Sequence, residues 1–425
     1  MDNEAAFIFF RNMTMFIATI MLIKLFVFLS FSAIYPVVQK IRYYHNLRRQ
    51  QKRKKSYAPL VSVIVPARNE EVGIMRTIKS VVDSDYHNLE LIVVNDGSTD
   101  RSRKLVDKFI ASRRKRSATK CKIVQYYIKN GGKGKALNYG IKKSSGEIIL
   151  TIDADSALAP NAISNLIKHF QDPNISSVVG QVRIANIKGR IIGVMQYLEY
   201  MFGFFYKRAH CVMGAEYIFG GACAAFRRKS TFDRFGLFDE DSKTEDIEMS
   251  MRVKFFGLKS IYAEDVICYT EGATSYFSLI NQRLRWKKGR FDAFIRYREM
   301  FFSLNKKHNK WLCWFILPFA LLSEIQLLLE PIGVTLLITY SFIANEYVSL
   351  FFSMLFVGIP YFVVAIFGKH MSFWRRIGLV LLWPITWPLF YIVVWVEFHA
   401  ILRGLSMIIR GDNLEWQKWN REGIA

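Results

Sequence analysis

The sequence predicts an α/β domain built on a mostly parallel mixed sheet and flanked by transmembrane and interfacial amphipathic helices. Three observations carry that prediction. Between Pro59 and about Thr274, short β-rich runs alternate with polar, helix-compatible stretches, the pattern of βαβ units. Apolar segments long enough to cross a bilayer stand on both sides of that stretch. Of the 425 residues 52% are hydrophobic, yet 59 are Lys or Arg, so the two classes must be segregated along the chain.

In chain order, Phe7 to Ile34 is apolar over a membrane-spanning length. It is too long for a signal peptide, and no small-residue cleavage site follows. Lys40-Ile-Arg42 and Arg48-Arg-Gln-Gln-Lys-Arg-Lys-Lys55 come next, a positive run that predicts a cytosolic domain behind it. RNA binding is the alternative reading of that run. Val61–Val65, Leu89–Val94, Lys122–Tyr127 and Glu147–Ile152 read as strands, and Glu70–Val82, Lys104–Ile110 and Pro160–Phe170 as helices. From Tyr276 to Ser303, Arg, Lys, Phe and Trp recur as in an interfacial helix. Apolar segments follow at about Trp311–Phe342, Val348–Phe367 and Ile377–Leu402.

The expected division is 1–45 for the N-terminal span, 46–275 for the α/β domain and 276–310 for interfacial helices. Residues 311–402 would form membrane helices and 403–425 a cytosolic tail. The loop Lys369–Arg376 and the tail are both basic, which argues for the cytosol. One N-terminal and three C-terminal spans would put the tail outside instead. The last segment, carrying Pro384 and Pro388, is therefore expected to be re-entrant or surface-lying.

A net charge of +24 suits nucleic acid, anionic lipid or phosphorylated substrates, although positive flanks that orient membrane helices explain much of it. The five cysteines (Cys121, Cys211, Cys223, Cys268, Cys313) are scattered and never spaced C-x-x-C. That pattern excludes a zinc knuckle or disulfide framework and favours a reducing compartment.

Ligands of open α/β sheets bind beyond the carboxyl ends of strands, so the residues there matter most. Asp153 and Asp155 end an apolar run two residues apart, and both can project to one side. Two hard oxygen donors suit Mg2+ or Mn2+ on a diphosphate; an Asx turn or a cap on the next helix explains the same letters. Lys133 and Lys135 lie in Gly131-Gly-Lys-Gly-Lys-Ala-Leu-Asn138, where amides and ammonium groups can approach phosphate. A solvated loop is the plain alternative. Asp96 can accept hydrogen bonds from a base or ribose, or cap a helix. Asp246, within Lys243-Thr-Glu-Asp-Ile-Glu248, can deprotonate a hydroxyl, or the motif can be capping by Thr244. Gln282, Arg285 and Trp286 fall at i, i+3 and i+4, one helix face that suits a sugar and a diphosphate.

Taken in order, these motifs resemble the family 2 glycosyltransferases of the processive membrane-synthase type, which make cellulose, hyaluronan, chitin oligosaccharides and poly-N-acetylglucosamine. The resemblance runs from about Pro59 to the tail, and Trp383-Pro-Ile-Thr-Trp-Pro-Leu-Phe-Tyr391 is closest to the poly-N-acetylglucosamine branch. That branch usually has two N-terminal spans and ends in Trp-x-x-Pro-Asp-Arg-Gly; this chain departs from both.

The resemblance implies a GT-A-type, Rossmann-like sheet and a UDP-sugar donor. Ala67, Glu70 and Asp96 would hold the uridine end, with Lys133 and Lys135 nearby. Asp153 and Asp155 would hold the metal, and Asp246, beside Glu245, would be the general base. Gln282, Arg285 and Trp286 would close around diphosphate and acceptor sugar. Gly220, Gly221, Ala222 and Cys223 would line the acceptor end, and Trp416, Trp419 and Arg421 would cover the donor.

The implied activity is inverting, processive polymerisation of a sugar, N-acetylglucosamine first among candidates. It would occur at the cytosolic face of a multi-pass plasma-membrane protein, which then passes the polysaccharide across the bilayer. An accessory membrane subunit fits this picture and nucleic acid does not. The alternatives are single-sugar transfer to a lipid-linked acceptor and a non-catalytic basic scaffold.

Overall fold

The structure, a computed structural model, describes residues 3–51, 57–114, 121–187, 191–343, 345–367, 372–381, 383–412 and 423. Its core is a sheet whose strands are β1 (Val61–Ala67), β2 (Leu89–Asp96), β3 (Lys122–Ile128), β4 (Ile148–Thr151), β5 (Ala157–Leu158), β6 (Ile175–Ile184), β7 (Ala224–Arg227) and β8 (Lys259–Thr270). Among the described residues they run in the order β3-β2-β1-β4-β7-β6-β8-β5. The β3-β2-β1-β4 half is parallel throughout. β7 enters antiparallel between β4 and β6, and β8 then pairs parallel with β6.

Burial explains the parallel half. Every residue of β1 and β2 is buried, as expected of strands covered on both faces. Helix α2 (Ile74–Val82) buries Ile74, Thr77, Ile78 and Val81, the i, i+3, i+4, i+7 stripe of an amphipathic helix. It starts later than the sequence pattern predicts, because Glu70–Gly73 forms a turn in which Gly73 and Ile74 amides donate to the Glu70 carbonyl. Helices α3 (Ser102–Arg114), α4 (Lys133–Lys143) and α5 (Ala162–Phe170) complete this half. Strand order reverses at β1, with β2 on one side and β4 on the other, which opens a crevice above their carboxyl ends.

The remaining helices tie the sheet to the membrane part. α1 (Asn3–Gln51) packs along α6 (Ile191–Val212). The short α7 (Phe232–Phe235) and then α8 (Glu245–Phe255) follow β7, and α9 (Tyr276–Arg296) follows β8. The C-terminal part comprises α10 (Leu317–Ile343), α11 (Val348–Phe367), α12 (Phe373–Leu381) and α13 (Trp383–Arg410). Among the described residues three helices are long and apolar enough to cross a membrane, at Leu22–His45, Leu312–Ile343 and Phe390–Arg410. The last expected segment, Ile377–Leu402, is divided between α12 and α13, and Pro388 sits inside the longer of them.

Candidate active site

The nucleotide-side residues are fixed by hydrogen bonds between loops. Ala67 closes β1 and is 2% exposed. Asn69 adopts φ 55°, a left-handed conformation that Asn tolerates better than most residues. Its Oδ1 accepts the Thr99 amide at 2.7 Å, while the Glu70 amide donates to Ser102 Oγ at 2.8 Å. The loops after β1 and β2 are thereby locked together.

Asp96 does not cap the helix that follows it. Its two carboxylate oxygens accept the Gly131 and Gly132 amides at 2.8 and 2.9 Å, holding the glycine segment against the end of β2. Gly132, with φ 93°, then leads directly into α4. The Gly-Lys stretch is therefore a helix start rather than a free loop. It separates the two lysines: Lys135 lies exposed over Gly131, and Lys133 points into the crevice.

There Lys133 Nζ contacts Asp153 Oδ1 at 2.6 Å and Glu245 Oε1 at 3.0 Å. Burial works against its ammonium form, but Asp153, Glu245 and Asp246 together outweigh burial and hold its pKa above the ordinary lysine value. Burial pushes the Glu245 carboxyl up, with Lys133 opposing and Asp246 adding to the rise. Asp246 Oδ2 accepts the Gly221 amide at 2.9 Å, and its Oδ1 accepts the Ile247 amide at 2.9 Å. A Cβ on Gly221 would lie 2.7 Å from Lys133 Nζ and 3.1 Å from Asp246 Oδ2, so a side chain there would displace the ammonium. Gly220 faces open space.

The capping alternatives fail on geometry. Thr244 makes no side-chain cap bond to α8, and Asn161, not either aspartate, occupies the N-cap of α5. The hollow lined by Lys133, Thr151, Gly221, Glu245 and Asp246 holds about 10 Å³, close to the room one water needs. A nucleoside diphosphate would therefore lie over its mouth, not inside it.

Asp155 and Arg285 both lie within electrostatic reach of Tyr200. Burial raises the Tyr200 phenol above its ordinary range; Arg283 opposes, Glu199 and Asp155 add to the rise, and Arg285 opposes. Asp155 Oδ1 also accepts from Ser156 Oγ at 3.1 Å. α9 starts with a reciprocal Ser275–Ser278 capping box and carries Gln282, Arg285 and Trp286 on one face. Gln282 is 6% exposed, and its Oε1 has no protein partner, the state of an amide built to meet a ligand. Trp286 lies 6.5 Å from Tyr200, ring centre to ring centre.

Among the described residues no group of three or more His, Cys, Asp or Glu side chains forms a closed metal cage. The donor set nevertheless fits a divalent cation of the Mg2+ or Mn2+ kind. Such ions are commonly held by one or two carboxylates with substrate phosphates completing the shell. Asp153 and Asp155 would supply that pair, Asp153 beside Lys133 and Glu245.

Residues 62–235 match the profile described as Glycosyl transferase family 2. A poly-beta-1,6-N-acetyl-D-glucosamine synthase of Staphylococcus epidermidis is 28% identical over 417 residues, covering 93% of this chain and 97% of that protein. Over residues 62–235 the chain carries a family 2 glycosyl transferase domain. A second such synthase from Staphylococcus epidermidis is 29% identical over 381 residues, with 86% and 88% covered. Among solved structures, a mannosyltransferase from Pyrobaculum calidifontis, in complex with GDP-Man and Mn2+, matches with a TM-score of 0.54 at 18% identity. The match covers 91% of this chain and 99% of that one. At that identity the likeness bears on the fold, which is of the GT-A type with added apolar helices.

The family match ends before Glu245, Asp246, Gln282, Arg285 and Trp286, so the second half of the transferase site rests on the geometry above. Trp416, Trp419 and Arg421 lie outside the described residues. Sequence reasoning missed Asn69 and Tyr200. It also missed an ion cluster behind α9, although charged Glu324 and Glu397 inside apolar helices were a visible signal.

Proposed function

We propose that this glycosyltransferase polymerises N-acetylglucosamine from UDP-GlcNAc into a β-linked polysaccharide. It acts processively at the cytosolic face of the plasma membrane and passes the product across. The single observation that carries the reading is the convergence of Lys133, Asp153, Glu245 and Asp246 over the strand ends. Support for the sugar comes from the likeness to the two synthases across most of both chains.

In this reading Ala67, Glu70 and Asp96 line the uridine side, Lys133 faces the diphosphate, and Lys135 stands at the rim over Gly131. A divalent cation held by Asp153 and Asp155 supplies positive charge to the leaving UDP when bound. Asp246, oriented by the Gly221 and Ile247 amides, takes the acceptor hydroxyl proton. The acceptor oxygen bonds to the anomeric carbon as the bond from that carbon to the UDP oxygen breaks, and configuration inverts. Lys133 remains protonated throughout and steadies the displaced charge. Arg285 closes over the diphosphate, while Gln282, Trp286 and the Gly220–Cys223 segment hold the acceptor sugar. Partners are the lipid bilayer, the growing chain and an accessory membrane subunit.

The test is UDP release by the purified full-length chain with UDP-GlcNAc, UDP-Glc, UDP-GlcA and UDP-GalNAc, each with and without a chelator. We expect UDP-GlcNAc to be preferred, the chelator to abolish release and Mn2+ or Mg2+ to restore it. Preference for another donor would overturn the sugar, and single-sugar products would overturn processivity.

A further inference from the structure

Arg283 stands between the site and the membrane helices, and neither sequence motif nor family likeness gives it a role. It is 3% exposed. Its guanidinium carbon lies 4.4 Å from the Trp286 ring centre. Its Nη2 pairs with Glu199 of α6 at 2.5 Å, and its Nε with Glu397 of α13 at 3.3 Å. One planar cation is thus hydrogen-bonded to one helix, paired by charge with a carboxylate of another, and placed over the tryptophan ring.

The same flank of α9 carries Lys287 and Arg290. Lys287 pairs with Glu324 of α10 at 2.7 Å and Glu397 at 2.8 Å, and Arg290 pairs with Glu324 at 2.5 Å. Positions 283, 287 and 290 form one helical stripe, roughly a third of a turn from Gln282, Arg285 and Trp286. The ion cluster therefore fixes the rotation of α9 about its axis, and Arg283 alone among the three touches the ligand-facing tryptophan.

We propose that Arg283 is a positioning residue for the acceptor. Clamped by Glu199 and Glu397, it fixes the Trp286 ring against Tyr200 as the platform on which the terminal sugar of the growing chain stacks. The inference rests on the reading of Trp286 as an acceptor contact. A planar guanidinium can stack on an aromatic face while holding two carboxylates; an ammonium keeps the charge and loses the stack. Arg283→Lys therefore removes the positioning without leaving Glu199 and Glu397 uncompensated. The effect falls on retention of the chain, because the donor diphosphate lies on the Lys133 side.

The experiment compares wild type, Arg283→Lys, Trp286→Leu and the double variant as full-length detergent-purified enzymes. It measures product length with excess UDP-GlcNAc, the donor KM from UDP release and the unfolding midpoint. Arg283→Lys is expected to shorten the product about fivefold, the factor of a cation–π contact near 1 kcal/mol. Donor KM and unfolding midpoint should stay near the wild-type values. Trp286→Leu shortens the product by itself, and adding Arg283→Lys to it changes nothing further, since Arg283 acts through that ring. Glu199→Gln, which leaves Arg283 paired to Glu397, shifts product length in the same direction by a smaller factor.

Full-length product from Trp286→Leu would sink the acceptor reading itself. Short product from Trp286→Leu with full-length product from Arg283→Lys would sink the inference alone. So would equal shortening by Arg283→Lys in both backgrounds, or a donor KM that rises with it.

Discussion

In the crevice one ammonium, Lys133, faces Asp153, Glu245 and Asp246. On the far flank of α9 three cations, Arg283, Lys287 and Arg290, face Glu199, Glu324 and Glu397. The groups are alike, but the balance differs. Three carboxylates against one lysine leave the crevice negative, a state suited to receiving a cation and a proton. On the flank of α9 the charges are nearly matched, with Lys24 of α1 a fourth cation beside Glu324, as suits a cluster buried beside apolar helices. The first arrangement is poised for ligands, and the second holds a helix in place.

If this contrast is right, removing a charge should have different consequences on the two sides. The largest effect is expected at Asp246. Asp246→Asn keeps the shape and can accept one of the Gly221 and Ile247 amides, but it cannot take a proton. UDP release should fall by about 10²–10⁴ in kcat, the usual worth of a positioned base. Donor KM and the unfolding midpoint should move little. Full activity in a well-folded Asp246→Asn enzyme would erase the distinction between a reactive and a structural cluster.

Glu324→Gln tests the other side. Lys287 would then keep Glu397 while Arg290 loses its ion pair, leaving buried positive charge uncompensated. The cost is expected to be about 3–5 kcal/mol, read as a lower unfolding midpoint in detergent. Turnover per folded molecule should fall far less than in Asp246→Asn. A stable Glu324→Gln enzyme with collapsed kcat would reverse the roles assigned to the two clusters.

These two clusters also mark what the sequence made legible. The parallel half of the sheet was readable because β1 and β2 are continuous buried runs with chemistry at their ends. Asp153 and Lys133 drew attention as residues that follow strands, and Asp246 through the Thr-Glu-Asp run that opens α8. The pairing of Lys133 with Glu245 was not readable, since 112 positions separate the partners, and only the insertion of β7 beside β4 brings the two segments together. Nor could local pattern show that Asp96, read as a base or ribose contact with a helix cap as the alternative, ties down the glycine segment of a later helix. The α9 cluster depends on three helices drawn from far apart in the chain. Its only local trace was a carboxylate inside each of two apolar runs.

The smallest expected effect concerns pH and a group belonging to neither cluster. His210 of α6 is packed against Phe28 at 5.3 Å between ring centres. Burial, then the charges of Lys207 and Lys24, lower its pKa from the ordinary 6.5 to about 3. Glu216, 4.0 Å away, is the one opposing charge given by the contacts around it. The folded state therefore keeps His210 neutral where an unfolded chain would protonate it. A depressed folded pKa contributes stability that is present above 6.5 and lost as pH falls from there toward 3. Between neutral pH and pH 6 the loss should be roughly 1 kcal/mol. His210→Gln removes the titration and should flatten that part of the unfolding-midpoint profile. Because His210 touches neither Asp246 nor Arg283, the pH dependence of UDP release should keep its shape while the stability curve changes. A change in both would join His210 to the reactive cluster, against the separation drawn above.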